Sequence, residues 1–267
     1  MVHPVERLRH IARATGAPQG LVATEAAWAL AAFAHDPQGL VTACRRMVSR
    51  QPGNAALVWL CARALTAGDP ASELRRAVAD LEGDRTPKEL EHAIPSDATV
   101  AVVGWPETIG EVLPRRGDVE VLVVDVRAEG SGLVRHLAGA DVDVVDVPAS
   151  GLAAAVAAAD LVLLEAEAVA PAELLAAAGS HAAAAVAHTS AVPVWVVAGV
   201  GRLLPGRMWE PLRSRVVSVE PWDDDDEVVP LRLIDSIVGP SGAEPVEAAL
   251  RRTDCPVAPE LFRGDVI

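Results

Sequence analysis

The sequence predicts an α/β protein in which a helical domain, residues 1–93, precedes a Rossmann-like domain with a mostly parallel sheet, residues 94–267. Two observations predict this order. No segment of the first part alternates with the period of a strand, whereas from Ala98 onwards short β-branched runs alternate with alanine-rich stretches. A third observation is that 51% of the 267 residues are hydrophobic, which is enough to build a sizeable core.

The helical domain is predicted from apolar side chains that recur with helical spacing. Residues 22–34 show this spacing and contain Thr24, which is available as a cap. Residues 54–66 and 72–81 repeat the pattern. These three segments therefore form the predicted helices of the first domain.

The sheet of the second domain is predicted from continuous apolar runs. Such runs occur at residues 99–103, 119–124, 143–147, 161–164, 192–197 and 233–238. Helical segments are predicted between them at residues 130–138, 151–159 and 173–190. Apolar strands joined by helices indicate βαβ units, and hence a parallel sheet covered on both faces.

Ligands of such sheets bind beyond the carboxyl ends of the strands. The segments to inspect are therefore residues 104–108, 125–132, 147–151, 165–168 and 198–202. The acidic run at 223–227, Asp-Asp-Asp-Asp-Glu, is interpreted as a solvated loop.

Charge and composition exclude several classes of function. With 37 acidic and 23 basic side chains the net charge is −14, so direct binding of nucleic acid is not expected. The three cysteines show no CxxC spacing, which favours a reducing, cytoplasmic compartment and argues against a zinc site. No apolar stretch is long enough to span a membrane, and the first residues lack the pattern of a secretory signal. No GxGxxG motif follows the first strand, and neither a cofactor nor a metal is predicted.

One strand-end segment carries a family resemblance. Asp125-Val126-Arg127-Ala128, followed by Gly132, resembles the acidic-x-Arg-Pro segment of the regulatory subunits of translation initiation factor 2B. The same family includes methylthioribose-1-phosphate isomerase and ribose-1,5-bisphosphate isomerase. An arginine before a helix that starts with glycine can hold a phosphate, so Arg127 and Gly132 are candidate ligand-binding residues. Ala128 replaces the family's proline, and the local turn is expected to differ.

A second strand end supplies a candidate acid or base. Residues 160–167 resemble the family's strand that ends in Val-Gly-Ala followed by Asp or Glu, and the resemblance implies that Glu167 is the catalytic carboxylate. Glu165 replaces the glycine, and both side chains should project to the same side of the strand. Crowding could then raise one pKa enough for proton transfer, although the pair could equally be the solvated start of a loop.

Further resemblance lies at Gly179-Ser180, which stands where the family has a Gly-Thr pair at its phosphate site. The preceding Asn-Lys of the family is Ala176-Ala177 here, so one cation is lost. Gly179 and Ser180 are nevertheless predicted to bind a phosphorylated ligand.

The largest departure from the enzymes lies in the first strand. Their Thr-His-Cys-Asn segment aligns with Val102-Val103-Gly104-Trp105, so the catalytic cysteine position is Gly104. We therefore predict a non-catalytic or degenerate relative of initiation factor 2B with a regulatory or interaction role. It would form a homodimer and hold a phosphorylated sugar or nucleotide as a regulator.

The alternative is an aldose–ketose isomerase that acts on a phosphorylated ribose, ribose-1,5-bisphosphate or methylthioribose-1-phosphate. In that case Glu167 would work with Asp125, Glu107 or Cys255. The sequence leaves the choice between these two functions open.

Overall fold

The structure is a computed structural model, and residues 17–263 are described. These residues form two compact units. The first contains residues 17–84, 200–216 and 253–263, and the second contains residues 85–199 and 217–252. The units do not follow one continuous cut of the chain, whereas the predicted domains do. The division into domains 1–93 and 94–267 stays a prediction.

Residues 17–263 contain eleven α-helices and nine strands. The helices are α1 Gln19–Leu30, α2 Pro37–Arg50, α3 Ala55–Thr66, α4 Pro70–Glu82, α5 Thr86–Ala93, α6 Glu107–Val112, α7 Gly130–Ala138, α8 Leu152–Ala158, α9 Ser180–Ser190, α10 Gly206–Val216 and α11 Val246–Leu250. The strands are β1 Thr99–Val103, β2 Glu120–Asp125, β3 Asp143–Pro148, β4 Leu161–Val169, β5 Glu173–Ala177, β6 Val194–Val197, β7 Asp226–Pro230, β8 Ser236–Gly239 and β9 Gly242–Pro245. No helix in this part of the chain is long and apolar enough to cross a membrane.

The first unit is helical, and its helices begin at residues that cap them. The side chains of Asp36, Asn54 and Asp69 each accept a hydrogen bond from a backbone N–H in the first turn of α2, α3 and α4. All three predicted helices are confirmed within one to four residues at their ends. The prediction that Thr24 caps a helix was wrong, because α1 begins at Gln19 and Thr24 lies inside it.

The second unit is built on the predicted sheet. Its order is β3-β2-β1-β4-β6-β8-β9, and every neighbouring pair from β3 to β8 is parallel. Valine and leucine side chains of the central strands are buried, as at Val102, Val123 and Leu163. The predicted Rossmann-like architecture is therefore confirmed.

One predicted helix was partly wrong. Residues 173–190 do not form a single helix, because Glu173–Ala177 is strand β5 and only Ser180–Ser190 is helical. Beyond Glu165 strand β4 continues to Val169 and pairs with β5, which pairs in turn with β7, both antiparallel. Leu174 and Leu175 are buried in this extension. Pairing between distant strands has overridden the helical propensity of the alanines.

Strand β7 also corrects the interpretation of the acidic run. Asp226 and Glu227 are the first residues of β7 and pair with Ala177 and Ala176 of β5. Only residues 223–225 precede the strand. The first three residues of the run therefore lie in a loop and the last two in a strand, where the sheet holds their backbone in place.

Candidate functional site

The start of helix α9 lies at the carboxyl ends of two central strands. Gly179, the residue before α9, has φ +100°, a left-handed conformation that favours glycine. A Cβ atom on it would lie 2.7 Å from Cγ2 of Val126 and 3.2 Å from Cγ1 of Val103. Val103 ends β1 and Val126 follows β2. The absence of a side chain at Gly179 thus lets α9 begin directly beside both strand ends.

Arg127 follows β2 and contacts the acidic segment, which we define as residues 223–227. Its Nη1 donates a hydrogen bond of 2.9 Å to the carbonyl oxygen of Asp224, and its Nη2 lies 2.5 Å from Oδ1 of Asp225. The side chain of Arg127 is 36% exposed and that of Asp225 is 86% exposed. The guanidinium of Arg127 is therefore bound by a distant segment of the same chain.

The same segment binds the start of α9. Oε1 of Glu227 accepts hydrogen bonds from the backbone N–H groups of Gly179 and His181, at 2.7 and 2.8 Å. The N–H of Ala178 donates to the carbonyl oxygen of Asp225 at 2.8 Å. A helix N-terminus attracts anions because its N–H groups are unpaired and its dipole is positive there. Glu227 supplies that anion from within the chain.

A second helix N-terminus is occupied in a similar way. Helix α6 begins just after β1, and the carboxylate of Glu165 in β4 faces its first turn. Oε2 accepts from the N–H groups of Thr108 and Ile109, at 2.7 and 3.3 Å, and Oε1 accepts from the Thr108 hydroxyl at 2.8 Å. Glu165 is only 9% exposed. Its carboxylate is a buried cap of α6.

This position separates the two carboxylates that the sequence places together. Glu165 faces α6, whereas Glu167 lies at the irregularity of β4 between Ala166 and Ala168, where the pairing with β5 shifts. Asp226 on β7 is an electrostatic neighbour of Glu167. In the sequence, Asp226 was visible only as a member of the acidic run 223–227. Because that run was interpreted as a solvated loop, Asp226 was not considered as a site residue.

Asp226 is the carboxyl group whose proton affinity is most altered at this site. Partial burial raises its pKa to about 7, and four nearby negative charges add to the effect: those of Glu167, Asp225, Asp224 and Glu129. A carboxyl with this pKa is divided between its neutral and charged forms at neutral pH. It is therefore able to donate or accept a proton under physiological conditions.

Gly132, which is predicted to bind phosphate, lies against a tryptophan. The six-membered ring of Trp105 occupies the space that a Cβ atom on Gly132 would fill, and a Cβ atom on Gly110 would lie 2.9 Å from the Nε1 atom of Trp105. The indole is stacked on His136, with 6.1 Å between ring centroids, and is 49% exposed. Gly110 and Gly132 thus make room for a half-exposed aromatic ring between α6 and α7.

Two backbone conformations distinguish these loops from the motifs they resemble. Gly104, at the position of the family's cysteine, has φ +66°, where a cysteine would be strained. Ala128 has φ +63°, which proline cannot adopt. The turn after Arg127 therefore differs from a turn that contains proline, as the sequence led us to expect.

The remaining candidates are distributed over both units. Ser180 is buried and lies between the two N–H groups that bind Glu227. Oδ1 of Asp125, at the end of β2, is buried and makes no hydrogen bond with the described residues. Glu107 begins α6. Cys255 belongs to the first unit, and burial raises the pKa of its thiol to about 12, so it carries little thiolate at neutral pH. Within residues 17–263, no group of three or more His, Cys, Asp or Glu residues is placed to hold a metal ion.

The structure therefore brings together Arg127, Gly179 and Ser180, and Glu167 adjoins them through Asp226. Gly132 is adjacent in sequence but is covered by Trp105. The two residues that sequence reasoning missed are Asp226 and Glu227.

Part of the chain resembles a known family of proteins. Residues 88–211 match the model of the initiation factor 2 subunit family. No curated protein sequence matches the chain significantly.

Solved structures with the same fold cover nearly the whole chain. The translation initiation factor eIF-2B of Pyrococcus horikoshii OT3 is 15% identical with a TM-score of 0.72, over 92% of this chain and 98% of that one. The eIF2B beta subunit of Chaetomium thermophilum is 17% identical with a TM-score of 0.75, over 97% and 91%. A chain of the tetrameric eIF2B-beta2-delta2 complex of C. thermophilum is 18% identical with a TM-score of 0.75, over 93% and 92%. The resemblance to the initiation factor 2B family is therefore confirmed: residues 88–211 carry the family pattern, and the chain has the fold of the solved subunits.

Proposed function

We propose that this protein is a non-catalytic relative of initiation factor 2B that acts by binding other protein chains. Its strand-end site is a regulatory site for a phosphorylated sugar or nucleotide. One observation carries the proposal: the groups best suited to hold a substrate phosphate, Arg127 and the N-terminus of α9, are bound by Asp225 and Glu227 of the same chain.

The charges around the site support the proposal. An aldose–ketose isomerase needs an acid, a base and cations on the phosphates of its substrate. Here the thiol position is Gly104 and the lysine position of the family is Ala177. Asp226 and Glu167 add further negative charge beside Arg127's partner Asp225. This set of carboxylates weakens the binding of a doubly charged phosphate.

Protein association is supported by one of the comparisons. A structure with the same fold is a tetrameric complex of beta and delta subunits. We propose that this chain likewise associates, as a homodimer. The cysteines of the described residues are free and buried, which supports a reducing, cytoplasmic compartment.

A second candidate, isomerisation of a phosphorylated ribose, is favoured by one observation. Asp226, with a pKa of about 7, adjoins the carboxylate of Glu167. A carboxyl with this pKa can exchange a proton with a substrate at neutral pH.

Two measurements on the purified full chain test the proposal. Turnover of ribose-1,5-bisphosphate and methylthioribose-1-phosphate is measured for the wild type, Glu167→Gln, Asp226→Asn and the control Asp223→Asn. Mass in solution is measured by light scattering over a range of concentrations. We expect no turnover and a stable dimer. Turnover that Glu167→Gln abolishes and Asp223→Asn preserves would establish the isomerase instead.

A further inference from the structure

We propose that Trp105 is the stacking surface for a purine, so that the ligand of the strand-end site is a purine nucleotide and not a bare sugar phosphate. The proposal rests on the proposed function for the regulatory role of the site. It adds the class of ligand and the residue that recognises it. Three observations carry it: the place of Trp105 in the sheet, the way in which its ring is held, and a buried acceptor atom on the neighbouring strand end.

Trp105 lies where the order of the parallel strands reverses. On one side of β1 the sheet continues through β2 to β3, and on the other side it continues through β4 and β6 to β8. Trp105 is the second residue after β1, which pairs with both β2 and β4. Ligands of open parallel sheets bind beyond the carboxyl ends of the strands at such a reversal. Trp105 is therefore placed to contact a molecule that binds there.

The ring of Trp105 is held in place although about half of the residue is exposed. A Cβ atom on Gly132 of α7 would lie 2.4 Å from Cζ3 of the indole, and one on Gly110 of α6 would lie 2.9 Å from its Nε1. His136, one turn after Gly132, stacks on the same ring. Glycine inside a helix is less favourable than alanine, so two helices give up stability to seat one side chain. A ring that is fixed in advance loses little conformational entropy when a ligand binds to it.

The exposure of Trp105 distinguishes it from tryptophans that stabilise a core. Trp59 is 0% exposed and Trp209 is 2% exposed, whereas Trp105 is 49% exposed. An exposed indole offers a flat π surface, on which a flat aromatic molecule stacks favourably. Nucleobases are such molecules, and a purine, which has fused rings like an indole, covers more of the surface than a pyrimidine does. A ribose phosphate has no ring of this kind.

Asp125 supplies a hydrogen-bond acceptor on the neighbouring strand end. The N–H of Gly104 donates to the carbonyl oxygen of Val124 at 2.9 Å. Trp105 and Asp125 are the next residues after this pair, so they follow adjacent strand ends. Oδ1 of Asp125 is buried and makes no hydrogen bond with the described residues, and a buried acceptor is expected to have a donor. The amino group of adenine or guanine supplies such a donor in the plane of the stacked base.

The phosphate of the ligand contributes less to recognition than the base. The guanidinium of Arg127 already binds Asp225, and the N–H of Gly179 already binds Glu227. A ribose phosphate would have to compete for these donors, whereas the base of a nucleotide binds elsewhere. The site therefore selects a nucleotide by its base.

The test is calorimetric titration of the purified full chain with AMP, GMP and ribose 5-phosphate. The variants are Trp105→Leu, Trp105→Phe and the matched control Trp28→Ala, which removes a tryptophan of α1 that is 50% exposed. Trp105→Leu keeps an apolar side chain over the two glycines, so this variant should fold, and its melting temperature checks that it does.

We expect the wild type to bind AMP or GMP at least about tenfold more tightly than ribose 5-phosphate, because stacking on an aromatic ring adds to the affinity. Trp105→Leu should weaken binding of the purine nucleotide about tenfold or more. Trp105→Phe, which keeps a smaller ring, should weaken it less, and Trp28→Ala should match the wild type.

Two results would overturn the inference: equal affinity of the wild type for ribose 5-phosphate and the purine nucleotides, or purine binding that is unchanged in Trp105→Leu. Binding of ribose 5-phosphate alone would overturn the inference and leave the proposed function standing. If none of the three compounds bound, both the inference and the regulatory site of the proposed function would fall. Turnover of a sugar phosphate by the wild type would instead contradict only the proposed non-catalytic function.

Discussion

The N-termini of helices α6 and α9 are each capped by a glutamate side chain, but the two glutamates differ in burial. Each N-terminus receives a carboxylate from elsewhere in the second unit: Glu165 at α6 and Glu227 at α9. Glu165 belongs to a central strand, is 9% exposed and also accepts from a hydroxyl. Glu227 belongs to the first residues of a strand that follows an exposed acidic loop. The comparison shows that a carboxylate can cap a helix N-terminus either from a buried position in a central strand or from the start of a strand that follows an exposed loop.

The largest effect expected from this comparison concerns Glu165. Glu165→Ala leaves the N–H groups of Thr108 and Ile109 without their buried acceptor, and it should lower the free energy of unfolding by about 3 kcal/mol. Glu227→Gln, which keeps an acceptor oxygen, should cost less than half as much. Urea denaturation measures both. Equal losses for the two variants would break the distinction between the buried cap and the partly exposed one.

A substitution at Gly179 tests how the N-terminus of α9 is held beside the strand ends. Gly179→Ala places a methyl group against Val126 in a backbone of φ +100°, so it should destabilise the protein by about 2 kcal/mol. Gly20→Ala, which meets no atom within 4 Å, is the matched control. Thermal unfolding checks this prediction. A Gly179→Ala variant as stable as Gly20→Ala would mean that α9 does not need its close approach to the strand ends.

The pH dependence of stability should also distinguish the carboxylates near α9 from the carboxylate of Glu165 at α6. Because the pKa of Asp226 is raised in the folded protein, its contribution to stability is present below its ordinary value of 3.8 and is lost as pH rises towards about 7. Asp226→Asn should remove this loss and should be about 1 kcal/mol more stable than the wild type at pH 8. Melting temperatures between pH 4 and 8 measure the effect. If the melting temperature of Asp226→Asn depended on pH in the same way as that of the wild type, Asp226 would not be the source of this pH dependence.

The smallest effect is expected for the exposed ion pair between Arg127 and Asp225. Arg127→Ala and Asp225→Asn should each change the free energy of unfolding by less than about 0.5 kcal/mol, because their ion pair is largely solvated. Their double variant should show the same small change. A loss above about 2 kcal/mol from either substitution would mean that the pair is structural.

The sheet could be predicted from the sequence because its central strands are continuous apolar runs. Residues 99–103 became β1 without change of bounds, and the helix predicted at 130–138 is α7. Strand β5 could not be predicted, because its alanine- and leucine-rich residues have helical propensity and become a strand only through pairing with β4 and β7.

The candidate site was predictable in part. The family resemblance singled out Arg127, Gly179 and Ser180, and the structure places them at neighbouring strand and helix ends. The role of Glu227 could not be found, since four preceding acidic residues conceal the alternation that a strand imposes on side chains. Glu165 and Glu167 were expected to project to the same side of the strand, but the irregularity in β4 lies between their positions, and the two side chains have different neighbours.

Amide hydrogen exchange tests the central distinction most directly. Measured at pH 7 without phosphate, the N–H groups of Thr108 and Ile109 at α6 should exchange only through rare opening of the second unit. Those of Gly179 and His181 at α9 should exchange at least about tenfold faster, because their acceptor Glu227 lies at the start of a strand that pairs with β5 outside the main sheet. Equal protection of the two helix starts would contradict the account and would make Glu227 a cap of the same kind as Glu165.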